Sequence, residues 1–237
     1  MNKFATNPLY LQVRDDLASR IAAQQWLVHT ALPNESELAR EMGVSPGTMR
    51  RALDMLESDG LLTRKQGRGT FITDPQSPAI ASKYNNIRSA TGERLNGDIE
   101  VLSVVEGAAT DMERSRLVLE PGAEVCRVER RRSHMRLSYM FETVTLPASV
   151  FPRLVQRGLA SSRLTKIASA YGLLVGDSDE TVRSRVASPV AMKALEIAEG
   201  TPVLVLDRII KGRNGEPMQW RVAECPMAGD LKYVVES

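Results

Sequence analysis

The chain has 237 residues, 43 % of them hydrophobic, two cysteines, two histidines and a formal net charge of +2. That length holds one large or two ordinary domains with packed cores, and the near-neutral balance argues against a partner bound by bulk charge alone. Cys126 and Cys225 lie far apart with no Cys or His at ligand spacing, and His29 and His134 are too few for a catalytic or metal cluster, so no metal, cofactor or disulfide is expected. The N-terminus is polar and reads as a helix start, no apolar run reaches transmembrane length, and the expected setting is a reducing cytoplasm with no membrane partner. In chain order, Asn7 reads as a cap and Pro8 as the first residue of a helix running to about Gln24. Tyr10, Val13, Leu17 and Ile21 form its buried side, and Trp26 and Leu27 are expected to close the core.

Residues 33 to 72 carry the strongest signal. Asn34 followed by Glu37 has the spacing of a capping box, and Gly43 stands where a helix ends in a left-handed residue. Ser45 and Pro46 then start a second helix, in which Met49, Ala52, Leu53 and Leu56 recur at helical spacing. Thr48, Arg50, Arg51 and Asp54 fall largely outside that stripe. Two short strands, 61–64 and 70–72, flank Lys65-Gln66-Gly67-Arg68-Gly69. This is the layout of a winged helix-turn-helix, whose second helix enters the major groove by its N-terminal turn. Ser45 and Thr48 supply short hydroxyls, Arg50 a long cation, and Arg68 at the glycine-rich tip reaches a groove or a phosphate.

Residues 73–82 hold two prolines and few large apolar side chains and read as a linker. Beyond it, segments 99–106, 124–134, 138–146, 181–187, 203–211 and 217–224 read as strands, with helices near 111–117, 163–171 and 189–197. Hairpin turns among them point to an α+β domain on an antiparallel sheet. Side chains alternate along a strand, so Arg130 and Arg132 share a face and Arg131 points away. Two guanidiniums so placed need an anion or a carboxylate between them. Glu142 on the next strand is a candidate partner, or an acceptor for ligand hydroxyl or ammonium groups. A surface Arg–Glu ladder of little energetic worth is the alternative.

Pro8-Leu9-Tyr10-x-Gln12-Val13, Leu32-Pro33-x-Glu35-x-Glu37-Leu38-Ala39, Gly43-Val44-Ser45, Thr48-x-Arg50-x-Ala52-Leu53, Gly60-Leu61-Leu62 and Gln66-Gly67-x-Gly69-Thr70-Phe71 resemble the DNA-binding domain of GntR-family bacterial transcriptional regulators. The resemblance implies DNA contacts from Ser45, Thr48, Arg50, Gln66, Gly67 and Arg68, with Ser36 at a position that often faces DNA. Pro46 stands where many members carry an arginine that reads a guanine, and proline cannot make a bidentate base contact, which bears on the operator sequence. Arg127 through Arg132, Glu142 through Pro147 and Phe151-Pro152-Arg153-Leu154 resemble the effector-binding UTRA domain of the HutC subfamily, whose fold is similar to chorismate lyase. That likeness implies effector contacts from Arg130, Arg132, Glu142 and Ser162. Leu164 replaces a frequent tyrosine, and Ala228-Gly229-Asp230-Leu231-Lys232-Tyr233 departs from the late Arg-x-Asp-x-Tyr pattern. These two departures point to a different small acid, or a weakened pocket, in place of an amino-sugar phosphate.

The expected organisation is a winged helix-turn-helix at 1–72, a linker at 73–82 and an effector-binding, dimerising domain at 83–237. The leading function is a homodimeric, operator-binding regulator, most simply a repressor, controlled by a small anionic metabolite and found on the nucleoid when bound. An enzyme built on the lyase-like fold is one alternative. It has only fold analogy behind it, with no nucleophile–base pair, so catalytic residues are not expected. A non-specific architectural DNA binder is another, and the near-neutral charge speaks against it.

Overall fold

The computed structural model describes residues 8–28, 30–74, 86–95, 97–135, 137–227 and 231–235. Asn7, His29, most of the 73–82 linker and the Ala228-Gly229-Asp230 stretch lie outside the described residues. The chain divides into two compact units, 1–80 and 81–237.

Among the described residues, the first unit has the helices α1 (Leu9–Ala22), α2 (Glu35–Glu41) and α3 (Pro46–Ser58), followed by the hairpin β1 (Leu62–Lys65) and β2 (Gly69–Ile72). Helix α1 starts one residue later than expected, with Pro8 at the N-cap, and ends two residues earlier. Its end is set by Gln24, which turns left-handed (φ 56°) so that Gln25 N–H reaches back to the Arg20 carbonyl. The same arrangement ends α2 at Gly43 and α3 at Gly60, where a left-handed φ carries no side-chain penalty. Asn34 makes both halves of the capping box with Glu37, and Ser45 accepts from Thr48 N–H. Leu17, Leu38, Met49 and Leu56 are fully buried where the three helices meet, each stabilising the unit by about 1.5–3 kcal/mol. Trp26 is half-buried, but Leu27 is 69 % exposed and does not close the core as the sequence suggested. It lies beyond the end of α1, off the apolar stripe that carries Leu17 and Ile21.

The second unit is a six-stranded antiparallel sheet of order β4-β5-β6-β9-β8-β7. Its strands are β4 (Asp98–Ala108), β5 (Glu124–His134), β6 (Leu137–Pro147), β7 (Val175–Val186), β8 (Pro202–Gly212) and β9 (Pro217–Pro226). Helix α4 (Asp111–Leu117), capped by Thr110 and Glu113, and helix α6 (Pro189–Leu195), capped by Ser188, cover one face. There Leu117 meets Val125, and Ala191 and Leu195 meet Phe141. Helix α5 (Leu164–Ala170) covers part of the other face, packing Ile167 and Ala168 with Val128, Val144, Phe151 and Leu154. A further two-stranded ribbon, β3 (Ile87–Arg88) with β10 (Lys232–Tyr233), joins the beginning and end of this unit. Ile87 packs there with Tyr139, Met140, Leu206 and Ala223.

Candidate functional sites

In the first unit the side chains expected at DNA stand outside the core. Ser36, Ser45, Arg50, Gln66, Gly67 and Arg68 are exposed, and Thr48 is half-buried with its hydroxyl 2.9 Å from that of Ser45. Arg50 is held over α2 by Glu35, at 2.9 Å, while keeping two-thirds of its side chain in solvent. Arg51 and Asp54, also outside the apolar stripe, are engaged within the unit: Arg51 stacks on Tyr10, and Asp54 binds Arg64. Arg64 also binds Glu57 at 2.8 Å, so the root of the wing is tied to α3 by a side chain that the sequence did not single out. Gly67 turns the wing tip with φ 67°, and the space around it is open, so its conformation rather than crowding calls for glycine. Leu32 N–H donates to the Thr70 carbonyl, adding a third segment beside the hairpin. The surface left is a short-hydroxyl helix start beside a basic loop tip, both able to meet phosphates and base edges.

In the second unit the alternation argument holds. Arg130 faces Glu142 directly across β5 and β6, while Arg131 faces Phe141 on the opposite side of the sheet. Arg131 donates to Glu100 and to the Ala194 carbonyl at the end of α6. Arg130 and Arg132 are buried and both bind the same oxygen of Glu142, at 2.8 and 3.0 Å. Glu142 is completely buried between them, not at the rim of the cluster. Ser162 enters through its main chain, its carbonyl accepting from Arg130 at 3.1 Å.

The cluster continues into strands distant in sequence. Arg221 on β9 lies 3.7 Å from the second Glu142 oxygen and 3.6 Å from Glu180 on β7. Arg208 on β8, directly opposite Arg221, binds Glu180 at 2.7 Å. Burial alone would push the Glu142 carboxyl up; Arg130, Arg132 and Arg221 overcome it and hold the group at about 2. Burial and then the facing Arg208 bring the Arg221 guanidinium down to about 10, against the pull of Glu142. Arg130 is likewise lowered by burial, with Glu142 opposing and Arg132 adding to the drop. Positive charge so concentrated under low exposure is stable only where carboxylates or another anion offset it. A shallow, largely apolar cleft of ≈ 440 Å³ lined by Leu137, Leu195, Ile197 and Pro226 holds none of these arginines.

The description of bacterial regulatory proteins of the gntR family matches residues 9–72, and that of the UTRA domain matches residues 93–227. The chain belongs to the GntR family. Its UTRA domain places it in the HutC subfamily, as a DNA-binding transcriptional regulator with an effector-binding domain. The histidine utilization repressor of Pseudomonas putida is 29 % identical over 210 residues, covering 85 % of this chain and 81 % of that protein. A transcriptional regulator of Mycobacterium tuberculosis is 30 % identical over 221 residues, covering 90 % and 80 %. Among solved structures, the regulator YydK of Bacillus subtilis aligns with a TM-score of 0.58 at 20 % identity, covering 97 % of this chain and 99 % of that one. The ligand-binding domain of a GntR-family regulator from Bordetella bronchiseptica aligns at 0.59 and 22 %, covering 65 % and 98 %. These two likenesses establish the fold.

Within this GntR regulator, Arg208, Arg221 and Glu180 are members of the ion-pair cluster that sequence reading missed. A signal was present. Arg221 interrupts Trp220 and Val222-Ala223, and Arg208 precedes Ile209-Ile210; a charge inside an apolar strand is costly without a buried partner. Among the described residues no group of His, Cys, Asp and Glu is placed to hold a metal ion, and no helix is long and apolar enough to cross a membrane.

Proposed function

We propose that this protein is a cytoplasmic, homodimeric repressor without enzymatic activity, released from its operator when a small anionic metabolite binds between Arg130, Arg132 and Glu142. The observation that carries this reading is the combination, in one chain, of an exposed hydroxyl-and-arginine reader surface with a buried cationic cluster. The names of relatives support the sign: the repressor of the mannosyl-D-glycerate system of Escherichia coli and the repressor NagR of Bacillus subtilis match over 83 % and 91 % of this chain. Two-fold operators follow from size, because one reader helix covers too few base pairs for genomic specificity. The effector must bind the DNA-competent and released forms with different affinity, since equal affinity shifts nothing.

Selection of bound sites from random DNA tests the first half. A two-fold-related motif is expected, and enrichment of no symmetric motif overturns the reading. The same selection with Pro46→Arg is expected to change the preferred base at one position in each half-site, because arginine adds a bidentate base contact that proline cannot make. Identical motifs from both proteins would leave Pro46 as a residue that only shapes the helix start.

The effector half is tested by screening metabolites for a rise in melting temperature, which a ligand of the folded state produces by mass action. The ligand found is then titrated against operator complexes. Release is expected to fail in Arg132→Ala and to survive in Arg131→Ala, whose side chain lies on the other face. Equal loss in both, or in neither, removes Arg132 from the effector site.

A further inference from the structure

Strand β7 ends the six-stranded sheet. β8 pairs with one of its edges, and no strand among the described residues pairs with the other. For an edge it is long, twelve residues from Val175 to Val186, and it contains no proline. From Thr181 to Val186 every residue is exposed, so neither face of the sheet is covered there. Val182 and Val186 are 40 % and 57 % exposed, although Leu206, directly opposite Val182 on β8, is buried. An uncovered edge of this kind offers its unpaired N–H and C=O groups to another strand.

The charges along this edge stand in mirror order. Asp179 and Asp177 lie two and four residues before Thr181, and Arg183 and Arg185 lie two and four after it. Two copies of β7 set antiparallel about a two-fold axis at Thr181 bring Asp179 opposite Arg183 of the second copy, Ser178 opposite Ser184 and Asp177 opposite Arg185, each twice. Opposite charges so placed attract, their Cβ atoms about 5 Å apart. Moving the axis to Glu180 or to Val182 leaves one kind of Asp–Arg contact in place of two, and parallel, in-register pairing sets like charges together. Charges of one sign guard an edge by repelling every other strand. Here the two signs are segregated, which favours one antiparallel register.

Two of these side chains are held within their own sheet. Asp179 takes Lys211 at 2.7 Å and Arg185 takes Glu224 at 2.8 Å, and both keep much of their surface in solvent. Asp177 and Arg183 have no ion pair among the described residues. Each pair between copies thus joins a side chain already held in place to one without a partner of its own. Asp177 lies where the β7–β8 register shifts, between Val175 and Ser178, so Asp179 with Arg183 fixes the alignment. The other outermost strand, β4, has no such order: it carries Asp98, Glu100 and Glu106 and no basic residue, so two copies of it have no opposite charges to pair.

We propose that β7 is the dimer seam of the effector domain, two copies pairing antiparallel, edge to edge, about Thr181 so that their sheets join into one. The two-fold axis makes the contact isologous and closes it at two copies. This rests on the homodimer reading above and names the surface that makes the dimer.

The test is sedimentation equilibrium of the full-length protein over a concentration series, for the wild type, Asp179→Arg and Arg183→Asp. The wild type is expected to be a dimer. Each reversal sets like charges opposite each other at both ends of the seam and should raise the dimer dissociation constant by about tenfold or more. Mixed in equal amounts, the two variants should associate with each other and recover much of the wild-type affinity, because each supplies the charge that the other lacks. Arg183→Lys, which keeps the charge, should dimerise as the wild type does. A monomeric wild type overturns this proposal and the homodimer reading together. A dissociation constant unchanged in Arg183→Asp, or variants that weaken the dimer but do not associate on mixing, overturns the β7 seam and leaves the homodimer to another surface. Arg183 has no ion pair in its own chain among the described residues, so Arg183→Asp against Arg183→Lys decides the matter even if Asp179→Arg does not fold.

Discussion

Glu142→Ala is expected to destabilise the effector domain by about 3–5 kcal/mol, the largest effect of any single substitution in the cluster. The residue is wholly buried and serves Arg130, Arg132 and Arg221 together. Its removal leaves three buried guanidiniums without their common counter-charge. The same contacts predict an acid dependence. The Glu142 carboxyl titrates at about 2 in the folded protein against an ordinary value of 4.5. A depressed carboxyl stabilises fully above its unfolded value and loses that contribution as pH falls through its folded value. The wild type should therefore lose on the order of 3 kcal/mol between about pH 4.5 and 2 from this group, and Glu142→Gln should not show that decline. Urea unfolding followed across this range measures both. Identical stability and identical acid profiles for wild type and variants would mean that the cluster is solvated and has been misjudged as a buried network.

Loss of both Arg50 and Arg68 is expected to bring specific operator affinity close to the non-specific level. Arg50→Ala alone should cost about 1–3 kcal/mol if the guanidinium reads a base and less if it holds a phosphate. A base contact weakens the preference at one operator position, whereas a phosphate contact weakens all sequences alike and reduces the salt dependence of binding. Arg50 starts from a pair with Glu35 on a largely exposed side chain, so exchanging that partner for DNA costs little. Binding of selected and random fragments at several salt concentrations separates these cases. Full operator affinity in the double variant would move the DNA-binding surface away from α3 and the wing tip.

Much of the architecture was written in local signals. The caps at Asn34, Ser45, Thr110 and Ser188 come from side chains, and the stops at Gly43 and Gly172 from left-handed glycine backbone (φ 64° and 66°), all acting within about one helical turn. Strand alternation alone separated Arg131 from Arg130 and Arg132. What escaped was non-local. Strand β7 begins at Val175, six residues before the apolar alternation suggested; Gly176, Asp177 and Asp179 are poor strand formers and hid its first part from a reading by local propensity. Asp179 is instead held by Lys211 on β8, and Glu180 by Arg208. Strands β3 and β10 are two residues each, too short to show a period. Arg208 and Arg221 could be assigned to the cluster only once β9 was known to lie between β6 and β8, an order that adjacent sequence does not carry.

The short ribbon between Ile87–Arg88 and Lys232–Tyr233 brings together the places where the polypeptide enters and leaves the effector domain. Asn86 bonds both to Tyr233 and to Glu180, at the margin of the arginine cluster. Entry, exit and arginine cluster thus form a clasp closed by three side chains, Asn86, Tyr233 and Glu180. A chain shortened to end at Met227 would keep all six strands of the main sheet and still lose its grip on its own first strand. In a reporter fusion, the C-terminal partner would be grafted beside the doorway through which the reader domain is attached, so linker length at that end is a design variable of the switch itself.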